Sequence, residues 1–126
     1  MHFSKVVNME IEMLNAGQTQ IAWLRTLEME VLSVEDVLDL LMNARYQGAL
    51  GLILSEANLS PDFFELESGM AGEILQKFST YDMRLAIVGD FNKVSRRSLR
   101  DFIYESNKIG RINFVGSLDE AIDALS

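Results

Sequence analysis

The chain contains no cysteine, one histidine and one proline among 126 residues. Without cysteine it has no disulfide, no thiol nucleophile and no Cys-based zinc or iron–sulfur site. The histidine is His2, at a terminus. A lone terminal imidazole builds neither a His-rich metal site nor a Ser-His-Asp triad. One Pro and eight Gly leave no room for a Pro/Gly-rich linker. No internal repeat or low-complexity tract interrupts the chain. Long hydrophobic runs are also missing: the longest strongly apolar stretch, residues 49–54, is far too short to span a bilayer. Charges at Lys5, Glu10 and Glu12 arrive too early for a signal peptide. The expectation is a cytoplasmic protein with no membrane segment.

Hydrophobic residues make up 48% of the chain and charged residues 24%, a balance that favours a folded domain over a disordered one. The length suits one domain with one core, residues 1–126. Net charge is −8, from 19 acids against 11 bases. Such a surface repels nucleic acid and anionic membranes, so neither is an expected partner.

Helix starts are legible. Ser33-Val34-Glu35-Asp36 places a hydroxyl cap before an acid, and Ser117-Leu118-Asp119-Glu120 reads as a full capping box. Ser60-Pro61 puts proline at a first helical position, where its missing N–H costs little. Ser98-Leu99-Arg100-Asp101 is the better box for a third helix, with Ser95 the other candidate start. An apolar stripe of Val34, Val37, Leu38, Leu41 and Met42 predicts an amphipathic helix ending near Gln47-Gly48. After a short turn at 61–66, a helix runs from about Ser68 to Ser79. The third helix buries Leu99, Phe102 and Ile103 and ends between Asn107 and Gly110. The last carries Leu118, Ala121, Ile122 and Leu125.

Between the helices lie strands. Ile11 and Met13 alternate with Glu10 and Glu12, Ala16-Gly17 turns, and Gln20 to Leu24 returns as a hairpin. The runs 52–54, 85–88 and 112–115 are apolar on both faces, as central parallel strands are. The order ββαβαβαβα, with right-handed crossovers, predicts an α/β fold with a mixed sheet and helices packed on it.

Two resemblances follow. The stretches Phe63-Phe64-Glu65-Leu66, Ser68-Gly69-Met70-Ala71-Gly72-Glu73-Ile74-Leu75-Gln76-Lys77-Phe78, Ala86-Ile87-Val88-Gly89-Asp90-Phe91 and Ser98-Leu99-Arg100-Asp101-Phe102-Ile103-Tyr104-Glu105-Ser106-Asn107 resemble a bacterial family of unknown function, over roughly residues 33–125. That resemblance implies no activity. The element order is similar to that of STAS domains, the anti-sigma factor antagonist fold. In those domains a Ser-Gly pair opens the helix after the third strand, and a partner kinase can phosphorylate the serine. Ser68-Gly69 occupies the matching place, although the Asp-Ser-Ser-Gly form is absent and residues 61–67 form an insertion. The resemblance implies a STAS-like single domain.

Several positions carry chemistry, each with a plainer alternative. Glu56 follows one strand and Asp90 another, where ligands collect in open α/β sheets. With Asp62 or Glu65 they could hold a hard cation, or Asp90 could simply cap a turn and Glu56 be solvated. No phosphate-binding loop accompanies them, and no metal or cofactor is expected. Lys93, Arg96, Arg97 and Arg100 cluster at a helix start, where the dipole disfavours cations. That suits an anion or an acidic partner surface, or an exposed face balanced by Asp101 and Glu105. Ser68, Gly69 and Gly72 permit close backbone approach, for an anion, a phosphorylatable hydroxyl, or tight packing of helix on sheet. Asn107 suits a left-handed cap, while Glu105 is a polar-site candidate. Phe63 and Phe64 are core residues or, if exposed, a partner surface; Trp23 on the hairpin reads as core.

The reading that follows is a non-enzymatic regulatory or protein-binding module, recognising another protein around residues 61–72 with Ser68 as a switch. The alternative is a small-molecule or anion sensor, with a site at the strand ends near Glu56, Asp90 and Arg97. An enzyme is the least supported version. The hairpin edge is an obvious pairing surface, so a homo-oligomer is a further possibility.

Overall fold

The hairpin is where the described fold begins. A computed structural model of the chain describes residues 11–126; His2, Lys5 and Glu10 lie outside them. Strand β1 (Ile11–Ala16) turns at Gly17-Gln18 into β2 (Thr19–Leu24), and Gly17 takes the positive φ of 65° that this tight turn requires. The chain continues through α1 (Val34–Tyr46), β3 (Gly51–Ser55), α2 (Met70–Thr80), β4 (Arg84–Val88), α3 (Arg97–Ile109), β5 (Ile112–Val115) and α4 (Leu118–Leu125). Short 3₁₀ turns fill residues 56–58, 61–64, 66–68 and 91–93. The five strands form one sheet in sequence order, with β1 antiparallel to β2 and all other neighbours parallel. The α/β class, element order and mixed sheet are those expected.

Each parallel neighbour is reached by one right-handed crossover, so α1, α2 and α3 share one face. On that face Val37, Leu40, Leu41, Ile74 and Phe78 are buried against Leu52, Leu54, Leu85 and Ile87. Among the described residues the opposite face is covered by α4 alone, where Ala121 and Leu125 meet Ile21, Ile53 and Ala86. Alternate residues of the central strands therefore enter opposite cores, which is why both faces of these strands are apolar. Along α1 the buried stripe is Val37, Leu40, Leu41 and Ala44, with Met42 exposed. The expected stripe was rotated: Leu40, not Met42, points at the sheet.

Capping follows one rule at two helices and departs from expectation at both ends of a third. Ser33 Oγ accepts from Asp36 N–H, and Asp36 accepts from the N–H of Leu32. Ser117 Oγ accepts from Glu120 N–H, and Glu120 accepts from Gly116 N–H. In both cases the acid reaches one residue before the cap rather than the cap itself. Ser98, by contrast, lies inside α3; the helix starts at Arg97 behind Arg96, with no side-chain cap. Asn107 is not the left-handed cap either. That conformation falls on Gly110, at φ 87°. Asn107 instead donates to the carbonyl of Phe114 and accepts from its N–H at 3.2 and 2.7 Å, so its amide closes the outer edge of β5.

Candidate functional site

The carboxyl ends of β2 to β5 all open on one side of the sheet, and the long connections gather there: residues 25–33, 56–69 and 89–96. These loops are built rather than loose. Asn58 is fully buried. Its amide donates to the carbonyls of Thr26 and Glu28, both at 2.8 Å, and its Oδ1 accepts from Ser55 N–H at 2.7 Å. Its own carbonyl takes the N–H groups of Glu30 and Val31, and Ser60 N–H reaches the carbonyl of Val31. One asparagine thus ties the loop after β2 to the loop after β3. Buried polar groups are tolerated when satisfied in this way.

Two hollows lie over these strand ends. The first is an apolar groove of about 440 Å³, with Met29, Leu59, Phe64, Phe91 and Val94 along it and carboxylates Glu56 and Glu65 at its rim. Beside it the loop after β2 exposes Leu27 (69%), Met29 (47%) and Leu32 (54%), interleaved with Glu28 and Glu30. Exposed apolar side chains this close together on one loop are a mark of an interaction surface. The second hollow, about 480 Å³, is polar and lined by Gly89, Asp90, Asn92, Phe114, Gly116 and Glu120. Its origin is topological. The chain leaves β4 toward the three-helix face and leaves β5 toward the α4 face. Adjacent strands whose exits diverge in this way open a crevice between them.

Phe91 separates the hollows and lines both. It stacks edge-on to Phe114 with ring centres 5.1 Å apart, while Phe64 lies 6.3 Å away. Gly89 makes this possible. A Cβ there would stand 2.5 Å from Glu56 Oε1, 2.8 Å from Glu56 Cβ and 2.9 Å from the Phe91 ring. No larger residue fits without displacing one of them.

The sequence-predicted positions sort out as follows. Glu56 and Asp90 are brought together, the Asp90 N–H donating to Glu56 Oε1 at 3.4 Å. Among the described residues no group of three potential ligands could hold a metal. Asp90 is paired with Lys93 at 3.5 Å, and Arg97 with Asp101 at 3.9 Å. Arg96 meets Glu65 at 3.0 Å and Glu67 at 3.9 Å. The hydrogen bond that Arg96 donates to Glu65, and the Glu65 charge, raise the Arg96 pKa further above its ordinary value. These three cations are engaged by neighbouring acids and line neither hollow. Glu105 sits on the exposed side of α3, 4.0 Å from Lys108, two turns from the helix start and away from both hollows. Ser68 is exposed at the start of α2; its Oγ donates to the Asp62 carbonyl at 2.6 Å and accepts from Met70 N–H at 3.1 Å.

One alternative is decided and two expectations are corrected. Phe63 is buried (1%) and packs edge-on against Phe64, so only half-buried Phe64 is available to a partner. Gly72 is exposed, and a Cβ on it would touch nothing within 4 Å, so helix packing does not require it. Gly69 is explained by its φ of 80°, not by close approach. Asn58, Phe91, Glu120 and the exposed apolar residues of the loop after β2 were not anticipated. The alternation of apolar and acidic residues from Leu27 to Leu32 is the one signal that marks that loop.

The match to known families fits this chain over nearly its whole length. A family model described as a domain of unknown function, DUF4180, matches residues 16–125. The chain belongs to this family. The DUF4180 match begins at the last residue of β1 and ends at the last residue of α4, so it takes in both hollows and every loop that forms them. No curated protein and no solved structure matches the chain. Nothing in these comparisons supports the STAS-like label. No helix among the described residues is long and apolar enough to cross a membrane.

Proposed function

We propose that this DUF4180 chain is a non-catalytic binding module that receives an apolar segment of a partner protein in the groove at the carboxyl ends of its strands. The observation that carries the reading is the groove itself. Its walls are apolar, its rim carries Glu56 and Glu65, and its flank exposes Leu27, Met29 and Leu32 between acids. An apolar segment flanked by lysine or arginine complements both the surface and the net charge of −8. The backbone around it is held by Asn58, which lowers the entropy cost of binding.

Ser68 would tune the same site. Adding about two negative charges at the start of α2 is compatible with the helix dipole. It would also replace the Ser68–Asp62 hydrogen bond beside the Glu65–Arg96 pair and offer Arg96 a stronger partner than Glu65. Selection from a random peptide library tests the reading. Wild-type protein is expected to enrich peptides with an apolar centre and basic flanks. Those peptides should be lost with Val94→Asp, which puts a charge into the groove from a half-buried loop position, and bound several-fold more tightly with Ser68→Asp, which adds negative charge and draws Arg96 away from Glu65. Equal enrichment by Val94→Asp removes the groove from the account.

The polar hollow favours a second reading, a small-molecule site. Asp90, Glu120 and Asn92 over the Phe114 ring suit a cationic or hydroxyl-rich ligand better than the anion expected from the basic cluster. A thermal-shift panel of amines, polyols, nucleotides, phosphate and divalent cations distinguishes these. A ligand at about a hundred times its dissociation constant adds roughly 2.7 kcal/mol. A shift produced by amines and abolished by Asp90→Ala supports the second reading. A shift produced by phosphate alone contradicts it.

A further inference from the structure

The two edges of the sheet are treated differently. At the β5 edge, Asn107 occupies both the N–H and the carbonyl of Phe114. At the β1 edge nothing comparable occurs among the described residues. The hairpin turn makes Ala16 and Thr19 a hydrogen-bonded pair, and alternate pairs follow it. Gln20, opposite Asn15, confirms the phase, because its carbonyl points away from β1 and accepts from Leu50 N–H at 2.9 Å. The backbone groups of Ile11, Met13 and Asn15 therefore point outward, and none has a hydrogen-bond partner among the described residues. The strand also lacks the usual protections of an edge. It has no proline, no lysine and no bulge in six consecutive pairs, and none of Ile11 to Asn15 is buried.

We propose that β1 is a self-association strand, pairing antiparallel with β1 of a second copy to make one continuous ten-stranded sheet. The strand is self-complementary in one register. With the two-fold axis at Met13, Met13 faces its own copy, and Ile11 faces Asn15 at either side. All three outward residues then pair, with about six new backbone hydrogen bonds. In that register Glu12 lies across from Leu14 of the partner, so no like charges face each other. The Arg25–Glu12 ion pair at 3.5 Å also neutralises the one acid on the strand. The half-buried Leu14 and Trp23 become contiguous across the axis on the α4 face.

Sedimentation of the 126-residue chain over a dilution series tests this directly. Wild type is expected to move from 14.2 kDa to twice that mass as concentration rises. Asn15→Pro removes an outward donor without touching the β1–β2 ladder, and should shift the dissociation constant at least tenfold toward monomer. The absence of native cysteine allows a second, register-specific readout. Met13→Cys should form a disulfide-linked dimer on mild oxidation, and Gln18→Cys, in the turn, should not. A wild-type chain that stays monomeric at every concentration overturns the proposal, as does a dimer untouched by Asn15→Pro. Equal cross-linking of the two cysteine variants contradicts the register.

Discussion

The two ends of the sheet are built by opposite rules. At the amino end the connections are short turns, at 47–50, 81–83 and 110–111, and arginines close them. Arg84 donates to the carbonyls of Gly110 and Ala124 at 3.0 and 2.5 Å, Arg45 to that of Tyr81, and Arg111 to that of Met83. The last carbonyls of helices are satisfied there by charged donors. At the carboxyl end the connections are long, and order comes from one buried neutral amide, Asn58. The amino end spends its polar groups on closing the fold. The carboxyl end leaves an apolar groove and a polar crevice open, which is where a parallel α/β sheet has room to recognise something.

Breaking each end should therefore give different symptoms. The largest effect is expected from Asn58→Ala, which strands the carbonyls of Thr26 and Glu28 and the N–H of Ser55. About 3 kcal/mol of stability should be lost, on the cost of buried groups left unpaired, and peptide binding should go with it. Denaturant unfolding gives the first number and a binding titration the second. Arg84→Ala should cost about 2 kcal/mol, from two charge-assisted bonds to carbonyls at a half-buried site, with binding unchanged in whatever fraction remains folded. A binding loss equal to that of Asn58→Ala would erase the distinction between the ends.

Smaller substitutions sharpen it. Gly69→Ala forces a Cβ into a left-handed conformation and should cost about 1 kcal/mol. Gly72→Ala, three residues on, has free space and an ordinary helical position, and should add about 0.5 kcal/mol. Opposite signs at two neighbouring glycines, read from thermal unfolding, would separate backbone conformation from helix packing as the reason for each.

Much of this fold was legible because local signals agreed. The Ser33 and Ser117 caps, the Gly17 turn and the doubly apolar strands each specify one element, and together they dictate the order. The failures share a cause. Asn107 looks like a helix end because asparagine favours left-handed caps. The chain instead uses its amide to close an edge strand seven residues away, a choice fixed by tertiary contact. Ser98 has good box spacing, but the helix begins two residues earlier than that cap would place it, behind Arg96. At the site, Glu56 and Asp90 were found from their positions at strand ends. Asn58 was not, because a buried asparagine in a loop reads the same as a solvated one. The basic cluster was misleading for a related reason: Glu65 and Glu67, which hold Arg96, are thirty residues away in the chain.

The most direct test of the central claim is a titration of one enriched peptide, with an apolar centre and basic flanks, into wild type, Val94→Asp and Arg84→Ala. Val94 is half-buried on the groove wall, and Val94→Asp should cost about 1 kcal/mol, which denaturant unfolding checks beside the titration. Binding by wild type and Arg84→Ala, and its loss of tenfold or more in Val94→Asp, is the predicted pattern. Binding retained by Val94→Asp would place the recognition surface elsewhere on the molecule and contradict the account.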